Sequence, residues 1–328
     1  MKKGKKLLIV LVCLVIFAVL ALVSSSSVSG SGESKKVVSE EKKQDGEASE
    51  EEIREDDGQT VENAAGAEEE NASEPDGEDA KKVTIEEQVL VDQDGIRITA
   101  KEYVHDSLWG DGISLLLENE TEGNVTVSCR ALIVNNYMIT DLFASSVAAG
   151  KKDNETMYLS TSELKAAGID TVGQVEIYFH IYDADSYDTI MDPDCVTIQT
   201  SAYADMDTTP DDAGTELYNE GGIRIVGRTV DENSFWGTAI LLYCENTSGR
   251  NVGISVENMS INGFMMEPLF SATVYDGKMA IDDITVFSSD LEENGIESIE
   301  EAELSFHIYD ADSYSTIADS DPITFGAE

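Results

Sequence analysis

A segment of nine residues, FHIYDADSY, occurs twice in this chain of 328 residues, at Phe179–Tyr187 and again at Phe306–Tyr314. The offset of 127 between the two copies holds without a gap between residues 95–198 and 222–325. Roughly 40 of these 104 aligned positions are identical, which is far above chance. A period of about 100 residues or more is typical of whole domains rather than of solenoid units, so the sequence predicts one fold present twice.

The duplication sets the domain boundaries that we predict. Repeat 1 covers residues 87–200 and repeat 2 covers residues 214–328, and these two names are kept below. The stretch between them, residues 201–213, reads SAYADMDTTPDDA. It is polar and contains Pro210, which is typical of a short linker.

Apolar and polar residues alternate along several segments of each repeat. Alternation with a period of two is typical of a β-strand that buries one face. The segments VEIYFHIY and AELSFHIY occupy equivalent positions of the two repeats, and VTVSCRALIV lies earlier in repeat 1. The residues predicted on the buried faces are Val175, Ile177, Phe179 and Ile181, then Ala302, Leu304, Phe306 and Ile308, and also Val125, Val127, Cys129, Ala131 and Ile133.

Turn and helix signals separate these strands. Asn262–Gly263 is a strong signal for a two-residue hairpin turn, and Asn135–Asn136 is its counterpart in repeat 1. The segments TSELKAAGI and SSDLEENGI each predict one helical turn. Ser162 and Ser289 are the residues predicted to cap the first amides of these turns.

About seven short strands and one helical turn fit into each repeat, a proportion typical of an immunoglobulin-like β-sandwich. The predicted fold class is therefore all-β, with two tandem immunoglobulin-like β-sandwich domains. Cys129 and Cys244 are matched by Val256 and Leu117 in the other repeat, as small core residues often are. The sequence leaves open a disulfide between Cys129 and Cys195.

The N-terminal segment, residues 1–23, predicts a transmembrane helix that acts as a signal anchor. Four lysines within residues 2–6 precede an uncharged apolar run, Leu7–Val23. The length of this run is at the short limit for a membrane span, and the lysines favour the cytoplasmic side. The sequence therefore predicts a single-pass protein of the cell membrane whose bulk lies outside the cell. Cleavage near Val23–Ser25, which would give a secreted protein, is the alternative.

Residues 24–86 predict a disordered acidic linker between the membrane and repeat 1. They are mainly Ser, Gly, Glu, Lys and Asp, so they cannot bury enough apolar surface to offset their chain entropy. The formal charge of the whole chain is −45. A chain this acidic repels polyanions, so we expect no nucleic acid partner, and it attracts cations and basic peptides.

Several short motifs occur in both repeats in the same order. They are W-G-x-x-I-x-L-x-x-E-N, N-[NG]-[YF]-M, L-x-x-x-G-I and F-H-I-Y-D. The series resembles tandem immunoglobulin-like (telokin-like) domains of unknown function, which are found behind the anchors of Gram-positive surface proteins and lipoproteins. The resemblance implies the fold and an exported location but no activity, because the motifs are structural. Cys13 lies inside the apolar run and follows Val12, so the chain departs from the lipoprotein members in lacking a lipidation cysteine.

The repeated segment places polar rings on the outer face of its strand. Alternation turns His180 and Tyr182 away from the core, and it does the same to His307 and Tyr309. Glu176 lies on this face as well, but positions four residues apart on a strand are separated by about 13 Å. Acid–base chemistry at His180 would therefore need a partner on a neighbouring strand. The simplest interpretation is a solvated or partly packed sheet histidine, and a pH-responsive contact or a ligand is the alternative.

Eight aspartates in the loops after these strands are candidates for a metal site. Four lie in each repeat at matching positions, and a D-x-D pattern with a later acid is typical of calcium-binding loops. Tyr187 and Tyr314 fill the fifth position, and the sixth is not glycine, which excludes an EF-hand. Turn formation is the simplest interpretation, and a weak Ca²⁺ site, with no other cofactor expected, is the alternative. The eight candidates are Asp183, Asp185, Asp192, Asp194, Asp310, Asp312, Asp319 and Asp321.

Trp109 and Trp236 also match across the repeats. An exposed tryptophan is able to bind sugars, but a tryptophan buried in the sandwich is the commoner arrangement. We find no G-x-S-x-G, H-E-x-x-H, paired C-x-x-C or phosphate loop, and three histidines give only weak candidates for a Ser-His-Asp triad.

These patterns predict a membrane-anchored, non-enzymatic binding or structural module whose partner is an envelope protein or a cell-wall glycan. A calcium-dependent envelope module that uses the paired aspartate loops is one alternative. A secreted enzyme is a second and less favoured alternative.

Mass spectrometry of the mature chain, isolated from the membrane fraction of its host, tests the N-terminal prediction. We expect an N-terminal peptide that begins upstream of Leu7, because the apolar run is retained as an anchor. A mature chain that begins just after Val23 would show instead that the segment is a cleaved signal.

Overall fold

Alternating apolar residues form the strands that make up most of the structure. The computed structural model describes residues 82–140, 142–231 and 237–325. The inward residues predicted for the FHIYDADSY strands are buried, and Phe179 and Phe306 are each 0% exposed. The expectation of a nearly all-β chain with sandwich-like sheets is therefore confirmed.

The same order of elements is present in both repeats, at the offset found in the sequence. Repeat 1 contains β1 (Gln88–Gln93), β2 (Ile96–Asp106), β3 (Gly110–Asn119), β4 (Val125–Val134), β5 (Tyr137–Ile139), β6 (Ala144–Val147), β7 (Lys151–Tyr158), α1 (Thr161–Ala166), β8 (Gln174–Asp183), β9 (Thr189–Met191) and β10 (Val196–Gln199). Repeat 2 contains β11 (Thr215–Glu220), β12 (Ile223–Asp231), β13 (Gly237–Asn246), β14 (Val252–Ile261), β15 (Phe264–Met265), β16 (Ser271–Val274), β17 (Lys278–Phe287), α2 (Ser288–Glu293), β18 (Ala302–Asp310), β19 (Thr316–Asp319) and β20 (Ile323–Phe325).

Each repeat buries its core between two sheets. In repeat 1, β1, β2, β3 and β7 form one sheet, while β4 and β8 lie at the centre of the other. Ile98 and Leu115 of the first sheet share a buried cluster with Val127 and Ile177 of the second. Repeat 2 has the same arrangement around a second cluster. Four residues of repeat 2 also join the first cluster, namely Val226, Tyr243, Met279 and Ile281.

A β-bulge in β4 changes the face that its residues present. The pairing of β4 with β8 shifts by one residue between Cys129 and Ala131. Beyond the bulge, Leu132 and Val134 enter the first core. The prediction that Ala131 and Ile133 lie on the same face as the residues before the bulge is wrong, because alternation assumes an unbroken register.

The predicted turns are confirmed, and the predicted helix caps are wrong. Asn262–Gly263 and Asn135–Asn136 all have positive φ angles, as two-residue hairpin turns require. The helices α1 and α2 form where the helical turns were predicted. Each begins one residue before the serine that was expected to cap it, so Ser162 and Ser289 lie inside the first turn instead.

The two repeats are joined by a parallel pair of strands. β5 lies beside β17, with Tyr137 opposite Met279 and Met138 opposite Ala280. The amide of Met279 donates to the carbonyl of Asn136 at 3.0 Å. As a result, one sheet of repeat 1 and one sheet of repeat 2 merge into a single sheet of ten strands within the described residues.

Polar and aromatic side chains reinforce this junction. Lys278, the first residue of β17, forms an ion pair with Glu176 of β8, and each side chain is 16% exposed. Lys278 also donates to the side-chain oxygen of Asn136 at 3.3 Å. The rings of Tyr178 and Tyr275 meet edge to face nearby, with centroids 4.9 Å apart. The ion pair favours one register of the two strands, because a shift would leave a partly buried charge without its partner.

β7 and β17 occupy equivalent positions but differ in sequence because only β17 lies at the junction. Over residues 151–160, one position in ten is identical to repeat 2. β7 is the edge of its sheet and carries exposed polar residues such as Lys152 and Asn154. The matching residues of β17, Met279 and Ile281, are buried. Charge on an edge strand opposes pairing with another strand, whereas apolar residues permit it.

The linker at residues 201–213 is bound to the repeats that it connects. Asp211 forms an ion pair with Arg228 of β12. The same guanidinium donates to the carbonyl of Ala166 in repeat 1 at 3.1 Å. Arg228 thus ties the linker and both repeats together.

A cavity of about 290 Å³ lies at the junction and is lined by both repeats. Arg130 and Glu163 line it from repeat 1, and Asp282 of β17 lines it from repeat 2. Burial raises the pKa of Asp282 from 3.8 to about 7, and the charges of Asp283 and Glu163 add to the increase. The amide of Asp283, which donates to Asp282 at 2.8 Å, acts in the opposite direction but is outweighed.

The N-terminal predictions fall mainly outside the described residues. The predicted anchor at 1–23 lies there, as does the predicted linker at 24–86 up to residue 81. Within the described ranges, no helix is long and apolar enough to cross a membrane. Val83 and Ile85, at the end of the predicted linker, pack against the first core. Cys195 is a free thiol, so the disulfide that the sequence left open is not formed.

We predict that Asp282→Asn stabilises the full-length chain at pH 8 but not at pH 4. In the folded state Asp282 keeps its proton up to a pH of about 7, whereas an unfolded aspartate loses it near 3.8. The folded state therefore binds more protons between these values, and stability falls as the pH rises through them. Asparagine removes this dependence, so we expect the free energy of unfolding in urea to increase by about 2–4 kcal/mol at pH 8.

Glu155→Gln is the matched control, because Glu155 holds the equivalent position on the exposed strand β7. Because Glu155 is exposed, we expect its replacement to change the free energy of unfolding little at pH 8. If Asp282→Asn increased the free energy of unfolding equally at pH 4 and pH 8, the conclusion that Asp282 is buried and protonated would be contradicted.

Candidate functional site

The FHIYDADSY segment forms the same surface twice, on the outer sides of β8 and β18. Phe179 and Ile181 bury their side chains, so His180 and Tyr182 face outward, as alternation predicted. We call each set of outward side chains, together with the residues after the strand that contact it, a tyrosine face. The tyrosine face of repeat 1 is His180, Tyr182, Tyr187 and Asp192, and that of repeat 2 is His307, Tyr309, Tyr314 and Asp319.

Each histidine of the tyrosine faces is bonded to an aspartate from a neighbouring segment. Nδ1 of His180 lies 2.7 Å from Oδ1 of Asp192, which follows β9. Nδ1 of His307 lies 2.6 Å from Oδ1 of Asp319, at the end of β19. The sequence required the partner of each histidine to come from a neighbouring strand. The partner is an aspartate, and it is not Glu176. A carboxylate bonded to one ring nitrogen fixes the orientation of the imidazole.

The outward rings are arranged in a row. The ring of His180 lies 5.3 Å from that of Tyr182, which lies 6.1 Å from the stacked ring of Tyr187. In repeat 2 the corresponding distances are 5.6 Å and 6.2 Å. The last ring of each row is the most accessible, since Tyr187 is 76% and Tyr314 is 78% exposed. Each row therefore presents an aromatic surface to solvent.

The exposed tyrosines have a backbone conformation that is costly for this residue type. Tyr187 and Tyr314 have φ angles of 64° and 57°, a region that suits glycine or asparagine. Such strain persists only where the surroundings impose it. In repeat 1 the carboxylate of Asp183 accepts hydrogen bonds from the amides of Asp185 and Ser186 at 2.9 Å and 2.8 Å, which closes the turn before Tyr187.

Asp183 and its counterpart Asp310 are therefore turn-forming residues. Backbone hydrogen bonds, with those from Ser186 and Ser313 the strongest, lower the pKa of both carboxyl groups. Both groups are ionised near neutral pH and accept amide hydrogens of their own turns. This matches the simplest interpretation of the aspartate pattern, in which the residues shape the turn.

The remaining predicted metal ligands are distributed over the tyrosine faces. Asp185 accepts a hydrogen bond from the side chain of Asn124 at 3.3 Å, and Asp192 and Asp319 bond the histidines. Within the described part of the chain, no three histidine, cysteine or acidic side chains are grouped so that they could hold a metal ion. Calcium binding by these loops stays a prediction of the sequence. The other candidates are exposed, namely Asp194, Asp312 and Asp321.

The two tyrosine faces differ in the charge beside them. Arg130 of β4 lies 3.6 Å from Asp192, and the equivalent position in repeat 2 is Glu257. The side chain of Asp192 is 35% exposed, whereas that of Asp319 is 65% exposed. The tyrosine face of repeat 2 is therefore the more acidic and the more open of the two.

Tyr275 of repeat 2 lies beside the tyrosine face of repeat 1, because its ring packs against Tyr178 of β8. Burial raises the pKa of Tyr275, and the charges of Asp312 and Asp192 add to the increase. Both aspartates, one from each repeat, are therefore close enough to Tyr275 to act on it electrostatically.

The predicted burial of the tryptophan is wrong for Trp109, whose side chain is 61% exposed. Asp106 holds the turn that displays it, because its carboxylate accepts the amides of Leu108 and Trp109 at 2.7 Å and 2.8 Å. Leu108 and Leu142 are exposed beside it and line the same open pocket. Trp236 lies outside the described residues.

The tyrosine faces are suited to contact with cations. The faces of aromatic rings attract cationic groups, and neighbouring carboxylates attract the same groups. Ser128 and Ser255 lie on the adjacent strands, and they donate to the backbone carbonyls of His180 and His307 rather than to the imidazole rings. These serines are thus not arranged as nucleophiles for the two histidines.

Reasoning from the sequence missed the His–Asp pairs and the rows of rings. His180 and Asp192 are twelve residues apart and meet only because β9 turns back along β8. A signal was present, since both members of the pair recur at the same offset in repeat 2. The left-handed turn that aims Tyr187 along the row has no comparable signal, because tyrosine rarely adopts that conformation.

No protein-family model matches this sequence, and no curated protein matches it significantly. Solved structures do match, 36 chains in all. A protein of unknown function from Porphyromonas gingivalis W83 is 11% identical with a TM-score of 0.20, over 66% of this chain and 90% of that one. The exo-chitosanase CsxA of Amycolatopsis orientalis is 12% identical with a TM-score of 0.23, over 69% of this chain and 26% of that one.

A third similar structure is the SafA pilin of Salmonella enterica in complex with the SafB chaperone. It is 9% identical with a TM-score of 0.20, over 72% of this chain and 98% of that one. TM-scores this low carry no conclusion about the function of this chain. Its sandwich-like architecture is established by its own strand pairing and buried clusters.

A glycine of β14 makes room for a ring of the second tyrosine face. Gly253 lies opposite Tyr309 in the sheet, and a Cβ atom placed on Gly253 would lie 2.2 Å from Cζ of that ring. Repeat 1 has Thr126 at this position, where its hydroxyl lies 2.8 Å from that of Ser146. Tyr309 therefore lies directly over the backbone of the neighbouring strand.

We predict that Gly253→Ala displaces Tyr309 and destabilises the chain by about 1–3 kcal/mol, as overpacking does. Urea unfolding measures the loss, and near-ultraviolet circular dichroism reports the disturbed tyrosine row. Gly123→Ala is the control, because a Cβ atom there would lie 3.5 Å from Asp183, an ordinary contact. Unchanged stability and an unchanged tyrosine signal in Gly253→Ala would show that the ring does not lie over the glycine.

Proposed function

We propose that this chain is a non-enzymatic binding module of the cell envelope that presents its two tyrosine faces to a cationic segment of a partner protein. The observation that carries this proposal is the identity of the outward residues in the two repeats. The tyrosine faces match residue for residue, whereas outward residues beside them differ, such as Tyr178 against Ser305 and Arg130 against Glu257. Exposed residues are the freest to change after a duplication, so the identity of the exposed tyrosine and aspartate of each face supports a contact that both repeats make.

Electrostatics supports a cationic partner. The chain carries a formal charge of −45, so the field around it draws basic segments towards it. At the tyrosine faces, Tyr187 and Tyr314 add accessible rings next to aspartates. A lysine or arginine side chain over such a ring gains about 0.5–1 kcal/mol at an exposed site.

The junction supports binding through both tyrosine faces at once. The shared sheet of ten strands fixes repeat 1 against repeat 2, so a partner that contacts one face finds the other at a constant distance. A second contact of this kind is effectively intramolecular and raises the overall affinity without any new type of interaction. The proposed anchor at residues 1–23 would hold this module at the membrane, with the acidic stretch that follows as its spacer.

Removal of both exposed rings tests the proposal. We expect the double variant Tyr187→Asn and Tyr314→Asn to bind a fluorescent octalysine peptide about tenfold more weakly than the native chain, because two cation–π contacts are lost. Asparagine suits the positive φ of these positions, so the turns are retained. Fluorescence anisotropy measures binding, and the formal charge of the chain is unchanged by both substitutions.

Tyr203→Asn is the matched control, since Tyr203 is an exposed tyrosine of the linker, outside the faces. It is expected to bind octalysine as the native chain does. Equal affinity of the double variant and the control would contradict the proposal, because binding would then be due to net charge alone. The native chain could instead bind cell-wall glycan fragments. If the double variant lost that binding but kept its affinity for octalysine, the partner would be a glycan and not a cationic protein.

A further inference from the structure

Among the described residues, no strand covers the sheet edge of repeat 2 that corresponds to the junction. β5 lies between β4 and β17, and its Tyr137 is 3% exposed. β15 holds the equivalent position in repeat 2, and among the described strands it pairs with β14 alone. Its residues Phe264 and Met265 are 46% and 68% exposed. Edge strands are usually charged, twisted away or covered, so an exposed apolar edge indicates a surface that another strand covers.

The backbone of β15 directs hydrogen-bonding groups to this side, where no described strand pairs with it. β15 follows a two-residue hairpin turn, and Phe264 pairs with Ile261 next to that turn. The amide of Met266 donates to the carbonyl of Met259 at 2.9 Å. Successive residues of a strand direct their amides to opposite sides, so the amide and carbonyl of Met265 point to the open side. β17 occupies that side of β5 in repeat 1.

The charge that holds the strand at the junction is also present at the free edge. Glu176 binds Lys278, the first residue of β17. The equivalent residue of repeat 2 is Glu303 on β18, which is exposed and forms no ion pair within the described residues. Glu303 therefore offers a carboxylate for a lysine at the edge of β15, in the position where Glu176 binds Lys278 at the junction.

We propose that β15 accepts an extended segment of a partner protein whose sequence follows the pattern of Lys278–Ile281, a lysine followed by apolar residues. The segment would pair in parallel with β15, as β17 pairs with β5, with its lysine on Glu303. Main-chain hydrogen bonds would supply affinity, and the lysine and the apolar side chains would supply specificity. The internal junction is the template for this contact, because β15 is the counterpart of β5, the strand that β17 pairs with.

A second copy of this chain fits the same edge less well. The counterpart of β17 in repeat 1 is β7, an edge strand that a second copy could offer and that begins with Lys151. The next residues, Lys152 and Asp153, replace Met279 and Ala280 of the junction. They would place charge against Phe264 and Met265 without a partner, and this disfavours pairing.

Two labelled peptides test the inference against the full-length chain by fluorescence anisotropy. The first, KMAIDDIT, copies residues 278–285, and the second, KKDNETMY, copies residues 151–158. We expect saturable binding of the first peptide and at least tenfold weaker binding of the second. Equal binding of the two peptides would overturn the proposal, because the pattern of β17 would then have no role.

Two variants locate the site. Met265→Pro removes the outward amide of β15 and is expected to abolish binding of KMAIDDIT, while far-ultraviolet circular dichroism stays native because proline is tolerated on edge strands. Glu303→Lys is expected to weaken binding at least tenfold and to restore it for the peptide EMAIDDIT. Full binding to a folded Met265→Pro variant, or no recovery in the charge-swapped pair, would overturn the proposal.

Two further measurements separate this site from other interpretations. The double variant Tyr187→Asn and Tyr314→Asn is expected to bind KMAIDDIT as the native chain does, so a loss there would overturn the assignment to β15. Sedimentation of the native chain alone is expected to show no self-association through this edge. If the native chain formed oligomers and the Met265→Pro variant did not, the strand that pairs with β15 would belong to a second copy of this chain, and the proposal of a partner protein would be overturned.

Discussion

The parallel pairing of β5 with β17 is the contact on which the arrangement of the two repeats depends. It joins only two opposed residue pairs, so its few hydrogen bonds, each worth about 1 kcal/mol net, contribute little. The burial of Met279 and Ile281 contributes more, since a fully buried side chain of this kind adds about 1.5–3 kcal/mol. The partly buried ion pair of Lys278 and Glu176 then selects the register. Hydrophobic burial therefore stabilises the junction, and the ion pair positions it.

This contact explains why two copies of one fold have diverged unevenly. Most core positions need only an apolar residue of suitable size, and those have changed conservatively, as Ile177 and Leu304 illustrate. The strands β7 and β17 have different surroundings and have lost nearly all resemblance. The tyrosine faces have kept their residues in both repeats, although neighbouring residues such as Arg130 and its counterpart Glu257 differ. The two repeats thus differ most in sequence where equivalent strands contact different parts of the structure.

The sequence predicted the fold wherever the determining residues are close together in the chain. Alternation placed β8 and β18 with the correct faces, and Asn262–Gly263 marked its hairpin, because both signals depend on neighbouring residues. The bulge in β4 was missed because one inserted residue leaves no mark on composition. The exposure of Trp109 depends on a turn that Asp106 organises, which residue type alone does not reveal.

The candidate site was predicted in part for a related reason. The outward orientation of His180 follows from its strand, whereas its contact with Asp192 depends on the path of β9. The junction was the least predictable feature, because Asn136 and Lys278 are far apart in the chain and belong to different repeats. The constant offset shows that the repeats are equivalent, but it carries no information about which edges meet.

The burial of Met279 and Ile281 has a consequence for the history of the chain. Without β5 beside it, β17 would expose these apolar residues at a sheet edge, so the sequence of β17 suits the chain only while the contact is made. The two repeats are therefore not interchangeable. Repeat 1 has a polar edge strand, β7, whereas repeat 2 relies on repeat 1 to cover the apolar residues of β17. A gene rearrangement that exchanged or separated them would therefore favour aggregation over two working units.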